Sequence, residues 1–215
     1  MIDRRPRLDH EAVPLGREFY ARPTLDVARD LLGCQLVHDV DGQRRCGRIV
    51  ETEAYVDIDD LASHASKGRT ARADVMYGAP GHAYVYLIYG MHHCFNVVAR
   101  DTELAGAVLI RALEPDDAAL GRTDGPGRLC RALGIDRRHN RLDLTTTAGG
   151  LWIAPPLAPL AEPIEASARI GVDYAGEWAA RPWRFFLPSS AWVSARQRRR
   201  PALPEARLPT LPPEA

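Results

Sequence analysis

Lysine is almost missing from this chain: among 28 cationic side chains, Lys67 alone ends in an amine and the rest are arginine. A reaction that needs a lysine Schiff base therefore has one candidate. Arginine is the bidentate ligand of phosphate and carboxylate, although a GC-rich coding sequence produces the same bias. The net charge is zero, so no overall field draws in a polyanion. No run of eighteen apolar residues exists, which excludes a membrane-spanning helix. Met1-Ile-Asp-Arg-Arg-Pro6 has no apolar stretch, so no secretory signal and a cytoplasmic location are expected. Cys34, Cys46, Cys94 and Cys130 show no CxxC spacing and read as buried free thiols. The histidines form no HExxH or HxxxH pattern, and His92-His93 would point to opposite faces of a strand. No metal and no cofactor are expected.

What is present suffices for one domain: 215 residues, 46% of them hydrophobic. Residues 1–16 read as a flexible arm, 17–195 as the folded domain and 196–215 as an Arg/Pro-rich tail expected to be disordered. The pattern predicts a short helix over 24–32, N-capped by Thr24 and stopped by Gly33. A hairpin follows, turning at Asp41-Gly42. Residues 56–81 form a long polar loop with one short helix, a length that in compact domains usually serves function. Strands are predicted at 82–89, 93–99 and 107–113, and a helix over 126–133 opened by Pro126 and closed by Gly134. Segments 167–176 and 183–194 return to the core, the latter as strand. The fold class is mixed α/β (α+β): a single compact domain on a curved, largely antiparallel sheet flanked by helices.

The segment Arg48-Ile-Val-Glu-Thr-Glu-Ala-Tyr55 carries the strongest chemical signal. Strand alternation places Glu51, Glu53 and Tyr55 on one face and Val50, Thr52 and Ala54 on the other. Carboxylates are depleted in strands, so either a site or an edge strand with a solvated face explains them. Tyr84 and Tyr86 share a face, while Tyr89 and Met91 stand at a hairpin tip, where large apolar groups need something to cover them. Asn96 and Arg111 lie inside apolar strands and each demands a partner; Glu53 is the candidate for Arg111. A carboxylate, a buried arginine, stacking rings and an exposed wedge form the inventory of an enzyme that takes a base out of the stack.

Four collinear stretches, Arg48–Tyr55, Tyr84–Met91, Leu109–Pro115 and Arg169–Trp178, resemble the alkyladenine (3-methyladenine) DNA glycosylases of the mammalian type. The resemblance covers roughly residues 17–195. It implies that Glu53 activates the attacking water and that Arg111 and the backbone carbonyl of Ile170 help to hold it. It implies that Tyr55, His64 and Tyr86 line the base pocket and that Asn96 disfavours guanine. Tyr89 would fill the gap in the duplex, flanked by Met91 and by His92, which stands where mammalian members have tyrosine. The implied substrates are 3-methyladenine, 7-methylguanine, hypoxanthine and ethenoadenine in double-stranded DNA. The implied enzyme of base excision repair is a monomer, associated with the nucleoid in a bacterium. With one lysine, it is expected to be monofunctional, leaving the abasic site intact.

Two other readings start from the same residues. A glycosidase would use Glu51 and Glu53 as an acid/base pair. A non-catalytic module would stack unpaired bases on Tyr84 and Tyr86 and have no need of Glu53.

Overall fold

The computed structural model describes residues 12–100 and 105–194. Two short helices, α1 (Arg17–Tyr20) and α2 (Thr24–Asp30), lead into a hairpin of β1 (Gln35–Val40) and β2 (Gln43–Val56). Asp41 and Gly42 both have positive φ, 52° and 73°, as a two-residue primed turn requires. Pro23, not Thr24, takes the N-cap position of α2; the Thr24 hydroxyl points instead at the carbonyl of Ala99, 3.5 Å away. The expected cap is thus replaced by a tertiary contact.

The loop after β2 holds two 3-10 turns, His64–Lys67 and Asp74–Tyr77, where one short helix was expected. Strands β3 (Ala83–Ile88), β4 (His92–Val98) and β5 (Gly106–Pro115) follow, then α3 (Pro126–Leu133), closed by Gly134 in the left-handed region at φ 76°. The last strands, β6 (Leu151–Ala154), β7 (Glu165–Ser167) and β8 (Arg184–Phe186), are short. Segment 183–194 is strand only over β8: Pro182 and Pro188 flank it, and neither can donate to a ladder. Segment 167–176 is mostly not strand either; Asp173–Ala180 forms 3-10 turns kinked at Gly176.

All strand pairs are antiparallel, in the order β3-β4-β5-β2-β1-β6, with β8 also pairing β2 and β7 pairing β8. The 14-residue β2 therefore has three neighbours: β5 along one edge, and β1 then β8 along the other. One register row crosses five strands: Tyr84, Asn96, Leu109, Glu53 and Arg184 are successive direct partners. Direct partners share a face.

The opposite face carries the main core. Val85, Phe95, Val97, Val108, Ile110, Ala54 and Phe185 belong to one buried cluster with Ala28 of α2, Leu31 just after it, and Leu129 and Leu133 of α3. The Thr52 hydroxyl donates to the Ala28 carbonyl at 2.8 Å and ties β2 to that helix. On the row's own face, Ala65, Ala73, Val75 and Met76 from the long loop pack on Tyr84, Val98 and Ala107. The sheet thus separates a helix-covered core from a loop-covered polar face.

From residue 12 the chain runs beside β6: the Ala12 carbonyl accepts from Trp152 Nε1 (3.0 Å), and Leu15 N–H donates to the Ile153 carbonyl (2.8 Å). The tail at 196–215 lies outside the described residues. The four cysteines are buried free thiols.

Candidate active site

Glu51 and Glu53 are fully buried on the loop-covered face, joined by Arg111. Two irregularities in the β2–β5 ladder bring this about, at Val50 and at Arg111, where the pairing steps from Glu51–Ala112 to Thr52–Ile110. A bulge re-aims a side chain, and here it sends the Arg111 guanidinium between the two carboxylates. Nε donates to Glu51 Oε1 at 2.8 Å and Nη1 to Glu53 Oε2 at 3.0 Å. Glu53 was the expected partner of Arg111; Glu51 is a second one. Burial disfavours the Arg111 charge, but Glu53 and Glu51 outweigh it and raise its pKa.

Glu53 accepts two further hydrogen bonds. The Tyr55 hydroxyl donates to Oε2 at 2.9 Å and the Ile170 backbone N–H to Oε1 at 2.7 Å. Burial, then the Glu53 charge, pushes the Tyr55 phenol well up, so it remains a donor. Ile170 thus meets Glu53 through its amide, whereas the resemblance implied a role for its carbonyl.

Glu51 is held by other elements. Arg184 Nε donates to Oε1 at 2.7 Å, Ser194 Oγ to Oε1 at 2.9 Å and Ser194 N–H to Oε2 at 2.7 Å. Burial raises its pKa, but the charges of Arg111 and Arg184 outweigh that and the net direction is down.

The rings gather beside this cluster. Tyr84 and Tyr86 lie 5.1 Å apart between centroids, and His64 meets Tyr86 edge-on at 4.7 Å. His64 Nδ1 and the Tyr84 hydroxyl are 2.7 Å apart. Burial, followed by the charges of Arg72 and Lys67, lowers the His64 pKa to about 4, so the ring is neutral near neutral pH. The Arg72 guanidinium lies 4.8 Å from the Tyr86 centroid. Asn96 is buried and donates through Nδ2 to the Tyr84 carbonyl at 3.0 Å. Glu53, Arg111, Tyr55, His64, Tyr86, Asn96 and Ile170 thus belong to one face.

Tyr89 and Met91 stand apart at the β3–β4 tip, 83% and 70% exposed, with His92 exposed beside them. Tyr89 adopts φ 53°, a left-handed conformation costly for a tyrosine, and Gly90 follows at 68°. His92 abuts the start of α3: a Cβ on Gly127 would come within 3.0 Å of the His92 Cβ.

Three supporting residues escaped the sequence reading. Asp60, in the acidic run 57–60 to which no role was given, is fully buried and takes a two-pronged ion pair from Arg169 at 2.6 and 2.8 Å. Arg169 also donates to the Ala54 carbonyl at 2.8 Å, which seats the backbone next to Ile170. Arg184 was overlooked, although a guanidinium between Trp183 and Phe185 was a signal of the same kind as Arg111.

The sequence pattern of the family described as methylpurine-DNA glycosylase matches residues 18–191. A protein of Myxococcus xanthus is 56% identical over 182 residues, spanning 84% of this chain and 93% of its own length. One from Methanocella arvoryzae is 49% identical over 195 residues (85% and 96%), and one from Desulfitobacterium hafniense 46% identical over 203 residues (85% and 98%). All three are described as candidate 3-methyladenine DNA glycosylases.

Proposed function

The chain belongs to the methylpurine-DNA glycosylase family, and from that premise we propose that it excises methylated purines from duplex DNA with a water activated by Glu53. The observation that carries this reading is the occupancy of Glu53. A carboxylate offers about four acceptor directions. Tyr55, Arg111 and Ile170 take three, leaving one on Oε1, in a group otherwise sealed from solvent. One acceptor position beside a stacking pocket is what a single attacking water needs.

In this mechanism Tyr89 enters the stack as the damaged nucleotide swings out. The base lies against Tyr86, Tyr55 and the neutral His64. Asn96 faces its edge and crowds the 2-amino group of guanine. The bond from C1′ to the base nitrogen breaks with oxocarbenium character. Water adds to C1′ as Glu53 takes its proton, and the base departs with the bonding electron pair. A purine methylated at N3 or N7 is already cationic and leaves readily. Hypoxanthine and ethenoadenine are neutral and depend more on the placement of that water. Arg111, anchored by two carboxylates, keeps its remaining N–H groups for the water. Lys67 sits exposed at the end of a 3-10 turn, and the reaction uses no amine, so the abasic site stays uncut. The protein acts as a single copy on double-stranded DNA.

The test is release of 3-methyladenine from methylated duplex DNA by the wild type and by Glu53→Gln. Release by the wild type, lost in the variant, with abasic sites that break only in alkali, is the expected result. Equal release by both would remove Glu53 from the mechanism.

A further inference from the structure

We propose that Glu51 is a positioning residue for base release: it fixes the Arg111 guanidinium against Glu53 and makes the 184–194 segment part of the catalytic machinery. The inference rests on the role of Glu53 proposed above.

Glu51 is poorly placed to act on substrate itself. It is fully buried, and four donors from three places in the chain occupy its oxygens: Arg111, Arg184, and the amide and hydroxyl of Ser194. Three donors crowd Oε1 and the Ser194 amide holds Oε2, in a group wholly removed from solvent, which disfavours an acid/base pair of Glu51 with Glu53. Its geometry is that of a hub. Arg111 sits at a ladder irregularity, where pairing alone does not set its direction. Without Glu51, no ion pair among the described residues opposes the pull of Glu53 on its other arm. With Glu51 in place, the guanidinium is stretched between two fixed anions, and Nη1 meets Glu53 at one angle.

The charges are balanced in the same way. Two carboxylates face two guanidinium groups, Arg111 from β5 and Arg184 from β8. The remaining groups near Glu53 are the Tyr55 phenol on β2 and the Cys94 thiol on β4. Removing the Glu51 charge leaves both guanidinium charges to Glu53 alone. A purely structural role would lower stability and nothing else; a positioning role also changes the reaction of the folded protein.

Glu51→Gln keeps the shape, removes the charge and sets an amide N–H against one of the donors. The expected result, in single-turnover release from methylated duplex DNA, is a rate constant lower by about tenfold to a hundredfold. The Kd for the DNA stays within about twofold, and the acid limb of the rate profile moves to lower pH. Glu51→Asp, which restores the charge, recovers part of the rate and returns the limb to its wild-type place. Should Glu51→Gln fail to fold, Ser194→Ala removes one donor only and is expected to cost about threefold to tenfold in the same rate constant. If the wild type releases base and Glu53→Gln does not, while Glu51→Gln or Ser194→Ala reacts at the wild-type rate with an unmoved acid limb, the proposal is overturned and the function stands. If the wild type releases no methylated base, the function itself fails, and the positioning role falls with it.

Discussion

Asp60 and Arg169, 109 residues apart, form a two-pronged ion pair in which both side chains are fully buried. The pair pins the loop after β2 to the segment whose next amide, that of Ile170, caps Glu53. Breaking a buried pair from one side leaves an uncompensated charge. Asp60→Asn is therefore expected to cost about 3–5 kcal/mol in unfolding free energy, measured by urea denaturation. Denaturation within about 0.5 kcal/mol of wild type would show that solvent reaches Arg169.

Tyr55→Phe removes only the hydroxyl that donates to Glu53 Oε2. Hydrogen bonds to a charged acceptor carry about 1.5–3 kcal/mol, so base release in single turnover is expected to slow by about tenfold or more while the fold is kept. An unchanged rate would mean that Arg111 and Ile170 suffice to orient the carboxylate.

Tyr89 separates stability from activity. The residue is 83% exposed and its backbone lies at φ 53°. Tyr89→Gly is expected to leave stability unchanged or raise it by up to about 1 kcal/mol, since glycine adopts that conformation freely. The same variant is expected to release base from duplex DNA far more slowly, having lost the side chain proposed to replace the flipped nucleotide. A fall in thermal stability would show that the ring has a packing role.

His64 sets a pH dependence of stability. Its folded pKa of about 4 lies below the ordinary 6.5. Between those values the unfolded chain takes up a proton that the folded protein refuses. Its contribution is therefore complete above about pH 6.5 and is lost as the pH falls towards 4. Urea midpoints at about pH 7.5 and about pH 5 are expected to differ more for the wild type than for His64→Gln. The same difference in both proteins would place the titration on another group.

Features with a local cause were legible in the sequence. Asp41-Gly42 demanded a primed turn, and Pro126 with Gly134 bracketed α3 to the residue. Strand period alone put Glu51, Glu53 and Tyr55 on one face, and Arg111 announced a buried partner. Features with a distant cause were hidden. β6, β7 and β8 have four, three and three residues, too short for alternation to register. Which carboxylate of the 57–60 run is buried depends on Arg169, and Thr24 left its cap for a carbonyl at 99. The sharing of Arg111 between two glutamates follows from a slip in the β2–β5 ladder, which no single strand encodes.

The donors that converge on Glu51 lie 60, 133 and 143 residues further along the chain. A ribosome makes the two carboxylates early and the groups that lock them late. Until Ser194 has emerged, β2 carries two acidic groups without their full set of partners. An unfinished copy of this protein therefore cannot have the finished site, whatever else of the sheet has formed. Strand order in time thus becomes part of the site: the chain makes its acidic strand first and the groups that seat it last.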